Sequence, residues 1–247
     1  MLAGQRKLAV IMRKPEFEEL EYHETPLGEL ILRWRTIPSM NHREVFEVKL
    51  DGAFLMSSLN TATEEALANL PLEQIKSDHL DILIGGLGLG YTAQAALKHD
   101  NVRSVTILEL LPQVIGWHEK ELVPLGEMLT QHERVNIVQG DFFRWALGQD
   151  KPPGMLDTYD VILVDIDHSP EFLLSKSHQV FYQASGLQCL KEKLNPKGLF
   201  ALWSADPPQE SFVQQLQQVF DQVTTHDVVF YNPLFNQEDA NTIYISA

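Results

Sequence analysis

The chain has 247 residues, of which 44% are hydrophobic, enough for one large domain or one domain with a small companion. Its formal net charge of −15 disfavours nucleic acids and anionic membranes as partners, because their phosphates would be repelled. A single cysteine excludes an internal disulfide and is typical of a cytoplasmic protein, and no apolar run approaches the roughly 18 residues of a membrane span.

The first part of the chain, up to about residue 60, has the pattern of a small β region. Residues 1–12 are basic and then apolar, but the apolar part is too short for a signal peptide, so we predict a first strand there. Further strands are predicted over 30–35, 45–50 and 53–57. A short helix follows, with Thr61 or Thr63 as its cap and Pro71 as its end.

From Leu80 onward the sequence alternates short apolar segments with amphipathic ones. Strands are predicted at 80–85, 104–109, 135–139, 159–165, 197–203, 225–231 and 241–246. Helices are predicted at 90–98, 111–121, 142–147, 178–191 and 209–221. This alternation is typical of an α/β domain whose mainly parallel sheet is covered on both faces. We therefore predict a small N-terminal β region with one helix over residues 1–72 and an α/β domain over residues 73–247.

The most informative segment is the glycine-rich turn after the strand at 80–85. Gly85, Gly86, Gly88 and Gly90 lie between that strand and a helix, so the backbone can turn sharply and approach a ligand. The N-terminus of the helix offers free N–H groups and the positive end of its dipole. The segment predicts a nucleoside site. A tight turn without a ligand and a dinucleotide site of the G-x-G-x-x-A type are the alternatives.

Polar residues end the next three strands, at the edge of the sheet where ligands of open α/β sheets bind. Glu109 suits the hydroxyls of a ribose, and Asp141 suits the exocyclic amine of adenine, although Asp141 equally fits a helix N-cap. Asp165, Asp167 and His168 follow the fourth strand, where the reacting end of a nucleoside is expected. Each residue alone also fits a solvated loop, and no group has the spacing of a metal site.

These motifs resemble the spermidine synthase-like branch of the class I AdoMet-dependent transferases. Residues 50–53 and 64–71 are similar to the family's L-D-G and Y-Q-E-M-I-A-H-L-P segments, and residues 85–90 are similar to its G-G-G-D-G-G loop. The resemblance implies a Rossmann-like, class I methyltransferase sheet whose last strand, ending near Ile245, is antiparallel. It also implies a ribose position at Glu109, an adenine position at Asp141, a catalytic acid at Asp165, and a homodimer.

The amine half of the family's site differs in this chain. Gly88 stands where the family has an acid that pairs with the amine of decarboxylated AdoMet, and His168 replaces the second acid of its D-S-S-D loop. Thr63-Glu64 replaces the family's Tyr-Gln pair. Without the loop acid, the carboxylate of intact AdoMet would meet backbone N–H groups, so AdoMet is favoured over its decarboxylated form.

The preferred hypothesis is therefore a transferase that moves an alkyl group, with methyl favoured, from AdoMet to a small-molecule acceptor, with amines among the candidates. Asp165 and His168 are the predicted catalytic residues: Asp165 as a base or as a group that orients the amine, and His168 as a second base, because an imidazole suits proton transfer near neutral pH. Glu64, Asp167 and Trp203 are predicted to line the acceptor pocket. One alternative is an aminopropyltransferase of polyamine biosynthesis that uses decarboxylated AdoMet in a modified amine pocket. The other is a nucleoside-binding protein without catalysis.

Overall fold

A four-stranded antiparallel sheet forms the first part of the fold. In the computed structural model, which describes residues 16–247, its strands in spatial order are β1 (Phe17–Thr25), β2 (Gly28–Ile37), β3 (Arg43–Leu50) and β4 (Ala53–Ser57). The strand predicted over residues 1–12 lies outside the described residues. β1 is missing from the predicted elements because its sequence is rich in glutamate and mostly exposed, so it shows little apolar alternation.

The two faces of this small sheet have different roles. Successive side chains of a strand point to opposite faces, so each strand presents two sets of residues. Leu30 and Leu32 of β2 pair with Leu50 and Val48 of β3, and all four are buried in the core beneath the sheet. The intervening residues, which include Arg33 and its partner Glu47, therefore lie on the other face.

The helix after the small sheet, α1 (Ala62–Leu72), has Thr61 at its N-cap position as predicted, but its capping contact and its end differ from the prediction. The Thr61 hydroxyl donates to Glu65 instead of capping the helix, and the Asn60 side chain accepts from the Ala62 N–H at 3.1 Å. Pro71 lies in the last turn rather than beyond it, because the Glu73 N–H still bonds to the carbonyl of Asn69. α1 packs against the first helix of the larger sheet and against several strands of that sheet.

The larger sheet has seven strands, and its order confirms the predicted fold class. The strands are β5 (Leu80–Gly85), β6 (Val102–Glu109), β7 (Val135–Gln139), β8 (Tyr159–Val164), β9 (Leu194–Ser204), β10 (Val223–Asn232) and β11 (Gln237–Ser246). Their spatial order is β10-β11-β9-β8-β5-β6-β7, and β11 is antiparallel to both of its neighbours. The order reverses at β5, so the turn after β5 lies at the switch point where open α/β sheets bind ligands.

Helices cover both faces of the larger sheet. They are α2 (Tyr91–Leu97), α3 (Pro112–Glu119), α4 (Gly126–Thr130), α5 (Phe142–Ala146), α6 (Ala184–Lys191) and α7 (Glu210–Gln217). Every residue of β5 is buried, with Ile82 and Ile84 in the core on one face and Leu83 in the core on the other. Among residues 16–247, none of the helices has the length and apolarity needed to cross a membrane.

The single helix predicted over 178–191 is wrong. The segment begins with a short 3-10 helix, Lys176–Val180, and α6 starts only at Ala184. Between them Phe181 and Tyr182 are both buried and form a turn that belongs to neither helix. A Cβ on Gly186 would lie 2.3 Å from the Val180 carbonyl oxygen, so the two segments pack more closely than a continuous helix would.

Candidate functional site

The glycine-rich turn forms the centre of the site, between β5 and α2. Gly86 and Gly90 have φ angles of 95° and 93°, in the left-handed region that favours glycine. A Cβ on Gly86 would also lie 2.3 Å from the backbone oxygen of Asp165, and one on Gly85 would lie 2.6 Å from the Phe142 ring. The turn therefore needs glycine at these positions for its own packing, whether or not a ligand approaches it.

The backbone carbonyl of Gly88 accepts a hydrogen bond from a buried histidine. Nε2 of His118 lies 2.9 Å from the Gly88 carbonyl oxygen, and His118 is fully buried. Burial lowers the pKa of His118, so the imidazole is neutral and donates through Nε2. Met56 of the small sheet covers Gly88, and its sulfur would lie 3.1 Å from a Cβ at that position. This position of the turn therefore carries no acid and contacts the small sheet.

Glu109 ends β6 with its carboxylate beneath the turn. One oxygen accepts from the Leu87 N–H at 2.9 Å and the other from the Leu111 N–H at 2.8 Å. Burial raises the pKa of Glu109, and the backbone hydrogen bonds oppose that rise. Each carboxylate oxygen can accept a second hydrogen bond, so the hydroxyls of a ribose still have acceptors here. Ribose binding by Glu109 stays a prediction.

Asp141 follows β7 and caps α5. Its Oδ1 accepts from the backbone N–H groups of Phe143 at 2.9 Å and Arg144 at 3.1 Å, so the N-cap interpretation is correct. The side chain also lines a small cavity beside Glu109. Oδ2 of Asp141 would be the oxygen that accepts from the adenine amine, and this role remains a prediction.

Replacement of Asp141 by alanine is expected to lower the free energy of unfolding by about 1 kcal/mol, the usual value of an N-cap. Asparagine also caps helices, so Asp141→Asn should keep the stability. Urea unfolding of the two variants measures the cap, and calorimetry with methylthioadenosine measures the adenine contact. If Asp141→Asn binds the nucleoside as well as the wild-type protein does, Asp141 acts only as a cap.

Asp165 and Glu64 form a pair of carboxylates at the end of β8. Asp165 accepts a long hydrogen bond from the Thr92 hydroxyl at 3.4 Å, and burial raises its pKa to about 6. Glu64 lies on α1, where burial and the negative charge of Asp165 raise its pKa to about 7. Each of these half-buried carboxylates makes ionisation of the other less favourable. A cationic group that binds beside them would stabilise both negative charges.

The raised pKa values predict how stability depends on pH. Between pH 4.5 and 7 the folded protein holds protons at Glu64 that the unfolded chain has lost, so the free energy of unfolding falls as the pH rises through that range. Glu64→Gln should therefore stabilise the ligand-free protein by roughly 1–2 kcal/mol at pH 8 and have little effect at pH 4. Denaturant unfolding at both pH values measures this, with Glu65→Gln, outside the cavity on the same helix, as control.

Trp203 and Glu64 are connected through a threonine. The Trp203 indole N–H donates to the Thr63 hydroxyl at 3.1 Å, and that hydroxyl lies 2.9 Å from Glu64 Oε2, to which it donates. Thr63 is buried, so this chain of hydrogen bonds holds Glu64 in place from the side of β9. The two predicted pocket residues thus belong to one arrangement, and Thr63 is a member that the prediction lacks.

Two adjoining cavities meet at these residues. The smaller, about 80 Å³, is lined by the turn, Glu109, Asp141 and the start of α5. The larger, about 660 Å³, is lined by Glu64, Trp203, both sheets and the loop between β10 and β11. Both include Gly88 and Asp165. Small-molecule sites measure roughly 300–1,000 Å³, and the larger cavity falls within this range.

Asp167 lines the larger cavity, and its predicted place in the acceptor pocket stays a prediction. It is 3% exposed, and its carboxylate accepts from Nδ1 of His178 at 2.9 Å, the Tyr182 hydroxyl at 2.9 Å and the Leu174 N–H at 2.7 Å. These hydrogen bonds connect Asp167 to the segment before α6. His168 lines the larger cavity and its ring lies beside that of Phe172, so its catalytic role stays a prediction.

His178 is a site residue that the sequence analysis does not find. Its ring stacks on Phe143 at a centroid distance of 3.8 Å and lines the smaller cavity. Since Nδ1 faces Asp167, Nε2 is the atom left for a ligand. The signal is absent from the sequence because His178 lies in a segment predicted as a regular helix, 11 residues from its carboxylate partner.

The sequence matches the family described as "Spermine/spermidine synthase domain" over residues 60–240. The chain belongs to the spermine/spermidine synthase family. A polyamine aminopropyltransferase of Prochlorococcus marinus (strain MIT 9515) is 30% identical over 148 residues, which cover 60% of this chain and 48% of that protein. Another, from Leptospira interrogans, is 27% identical over 128 residues, covering 51% of this chain and 24% of that protein.

A solved spermidine synthase in complex with the transition-state analogue AdoDATO has the same fold, with a TM-score of 0.72 and 18% sequence identity. The match covers 92% of this chain and 73% of that one. The family resemblance predicted from the motifs is therefore confirmed. The chain spans about a quarter to a half of the length of the curated relatives described above. These comparisons favour the aminopropyltransferase alternative over methyl transfer, the hypothesis preferred from the sequence.

Proposed function

We propose that this family member transfers an aminopropyl group from decarboxylated AdoMet to an amine acceptor. The observation that carries the proposal is the Glu64–Asp165 pair, which faces the larger cavity next to the turn and Glu109. Decarboxylated AdoMet carries a primary ammonium in place of the amino-acid end of AdoMet. A pair of carboxylates stabilises such a cation, and it supplies the negative charge that Gly88 does not.

The reaction is an in-line displacement at the propyl carbon bonded to sulfur. The lone pair of the acceptor nitrogen forms the new C–N bond, and the electrons of the breaking C–S bond go to sulfur and release methylthioadenosine. Before this attack the acceptor amine, which is an ammonium near neutral pH, must give a proton to a carboxylate, so that its nitrogen has a free lone pair. Asp165, at the junction of the two cavities, is the residue we assign to that step, and Glu64 holds the aminopropyl ammonium.

Methyl transfer from intact AdoMet is the second candidate, because Gly88 leaves the turn without the family's acid. In that case the carboxylate of AdoMet would contact backbone N–H groups. The amino end of AdoMet would then still lie near Glu64 and Asp165, and its carboxylate would be repelled by them. The donor therefore distinguishes the candidates more sharply than the acceptor does.

Calorimetric titration with decarboxylated AdoMet, AdoMet and methylthioadenosine tests the proposal. We expect decarboxylated AdoMet to bind at least tenfold more tightly than AdoMet, and Glu64→Gln to remove most of that difference. Glu65→Gln, the neighbouring glutamate outside the cavity, is the matched control. Tighter binding of AdoMet would overturn the proposal in favour of methyl transfer.

A further inference from the structure

Two arginines and a buried glutamate form a cluster on the wall of the larger cavity. Arg33 and Arg35 are alternate residues of β2, and Glu47 lies opposite Arg33 on β3. Arg33 Nε donates to one oxygen of Glu47 at 2.6 Å, and Arg35 Nε donates to the other at 2.8 Å. Glu47 is 2% exposed, whereas the arginine side chains are 23% and 27% exposed.

The Arg33–Glu47–Arg35 cluster carries a net positive charge. Two guanidinium groups face a single carboxylate, and a guanidinium has five N–H donors, of which Glu47 uses only some. Glu19 of β1 lies opposite Arg33 of β2 in the sheet, but its side chain is exposed. Among the described residues it forms no ion pair with Arg33. Donors therefore remain for an anion that enters the cavity, and a planar carboxylate matches their geometry.

The larger cavity thus has two ends of opposite charge. Glu64 and Asp165 lie at the turn, and the Arg33–Glu47–Arg35 cluster lies on the small sheet. Apolar side chains line the space as well, among them Leu55, Met56 and Trp203. A plain diamine would place its second ammonium in this positively charged part of the cavity, which Coulomb repulsion disfavours. A molecule with an amine at one end and an anionic group at the other matches the charges of both ends of the cavity.

We propose that the acceptor is an amine that also carries a carboxylate, joined to the amine by an aliphatic chain, and that Arg33 and Arg35 bind this carboxylate. The proposal rests on the proposed function, since it refines the acceptor of that reaction. Arg33 and Arg35 are binding residues and take no part in the proton transfer.

The test uses decarboxylated AdoMet with three acceptors: 1,4-diaminobutane, 4-aminobutanoate and ornithine. We expect kcat/KM for at least one carboxylate-bearing acceptor to exceed that for the diamine by tenfold or more. Arg35→Gln should reduce this advantage at least tenfold, and Arg35→Lys should restore part of it. Arg103→Gln, which removes an ion pair with Asp81 outside the cavity, is the control. A preference for the diamine in the wild-type protein would overturn the proposal.

The failure of this proposal can be distinguished from failure of the proposed function. If no amine is alkylated, the proposed function fails, and calorimetry with 4-aminobutanoate and ornithine then tests the anion site alone. Binding that Arg35→Gln abolishes would support the site, and absence of binding would overturn it. If Arg35→Gln instead weakens AdoMet and leaves the amino acids unaffected, the carboxylate recognised is that of the donor, and the proposed acceptor class is wrong.

Discussion

Replacement of Asp165 by asparagine is expected to lower kcat by about 10²- to 10⁴-fold, the range that general acid–base groups contribute. Asparagine has nearly the same shape, and its amide oxygen can still accept from the Thr92 hydroxyl. It cannot accept the proton that the attacking nitrogen releases. Affinity for methylthioadenosine should stay within a few-fold of wild type, because that product lacks the aminopropyl group.

The pH dependence of the same reaction provides a second measurement. Asp165 must be ionised to accept a proton, and its pKa of about 6 in the ligand-free protein means that kcat/KM should fall as the pH decreases through that value. The asparagine variant should lose this dependence. Asp157→Asn, an exposed residue outside both cavities, is the control. A variant that keeps wild-type kcat and its pH profile would show that another group accepts the proton, with His168 the next to replace.

Glu109→Gln is expected to weaken methylthioadenosine binding by about 10- to 100-fold, since a hydrogen bond to a charged group contributes roughly 1.5–3 kcal/mol. The carboxylate accepts from two backbone N–H groups, one on each oxygen. The amide of glutamine must turn its own N–H groups toward one of these donors, which disturbs the turn as well as the ribose contact. The loss should therefore exceed that of a single ligand hydrogen bond.

Calorimetry separates the two contributions of Glu109 when it is combined with an unfolding measurement. If the variant loses stability but binds methylthioadenosine normally, Glu109 only holds the turn and the nucleoside lies elsewhere. Matched losses in binding of methylthioadenosine and decarboxylated AdoMet would place the effect in the nucleoside half of the site. Gln139→Ala, at the end of the neighbouring strand β7 and outside both cavities, is the control for a general effect at this edge of the sheet.

The sequence allowed the sheet edge to be predicted for a simple physical reason. Buried parallel strands are continuous apolar runs, so the polar residue that ends each run can be read directly, and Glu109, Asp141 and Asp165 were found in this way. The parallel strands then bring those residues to one edge. Glu64 lies on α1, which reaches the sheet only through tertiary contacts that no local pattern reveals. The family resemblance is therefore what predicts its place in the site.

The remaining parts of the site depend on contacts between distant segments. The Arg33–Glu47–Arg35 cluster joins residues up to 14 positions apart, and only the register of β2 and β3 brings them together. The position of Asp167, two residues after Asp165, does not reveal that His178 and Tyr182 donate hydrogen bonds to its carboxylate. A pattern of single residues cannot show which partner occupies a carboxylate, so these assignments required the three-dimensional structure.

Mass spectrometry of the products formed from decarboxylated AdoMet and a panel of amines tests aminopropyl transfer most directly. We expect methylthioadenosine and an equal amount of an acceptor enlarged by one aminopropyl group, with both products strongly reduced in Asp165→Asn. Parallel reactions with AdoMet should give no methylated acceptor. Formation of S-adenosylhomocysteine and a methylated acceptor from AdoMet, with no aminopropyl product from decarboxylated AdoMet, would show that the protein is a methyltransferase instead.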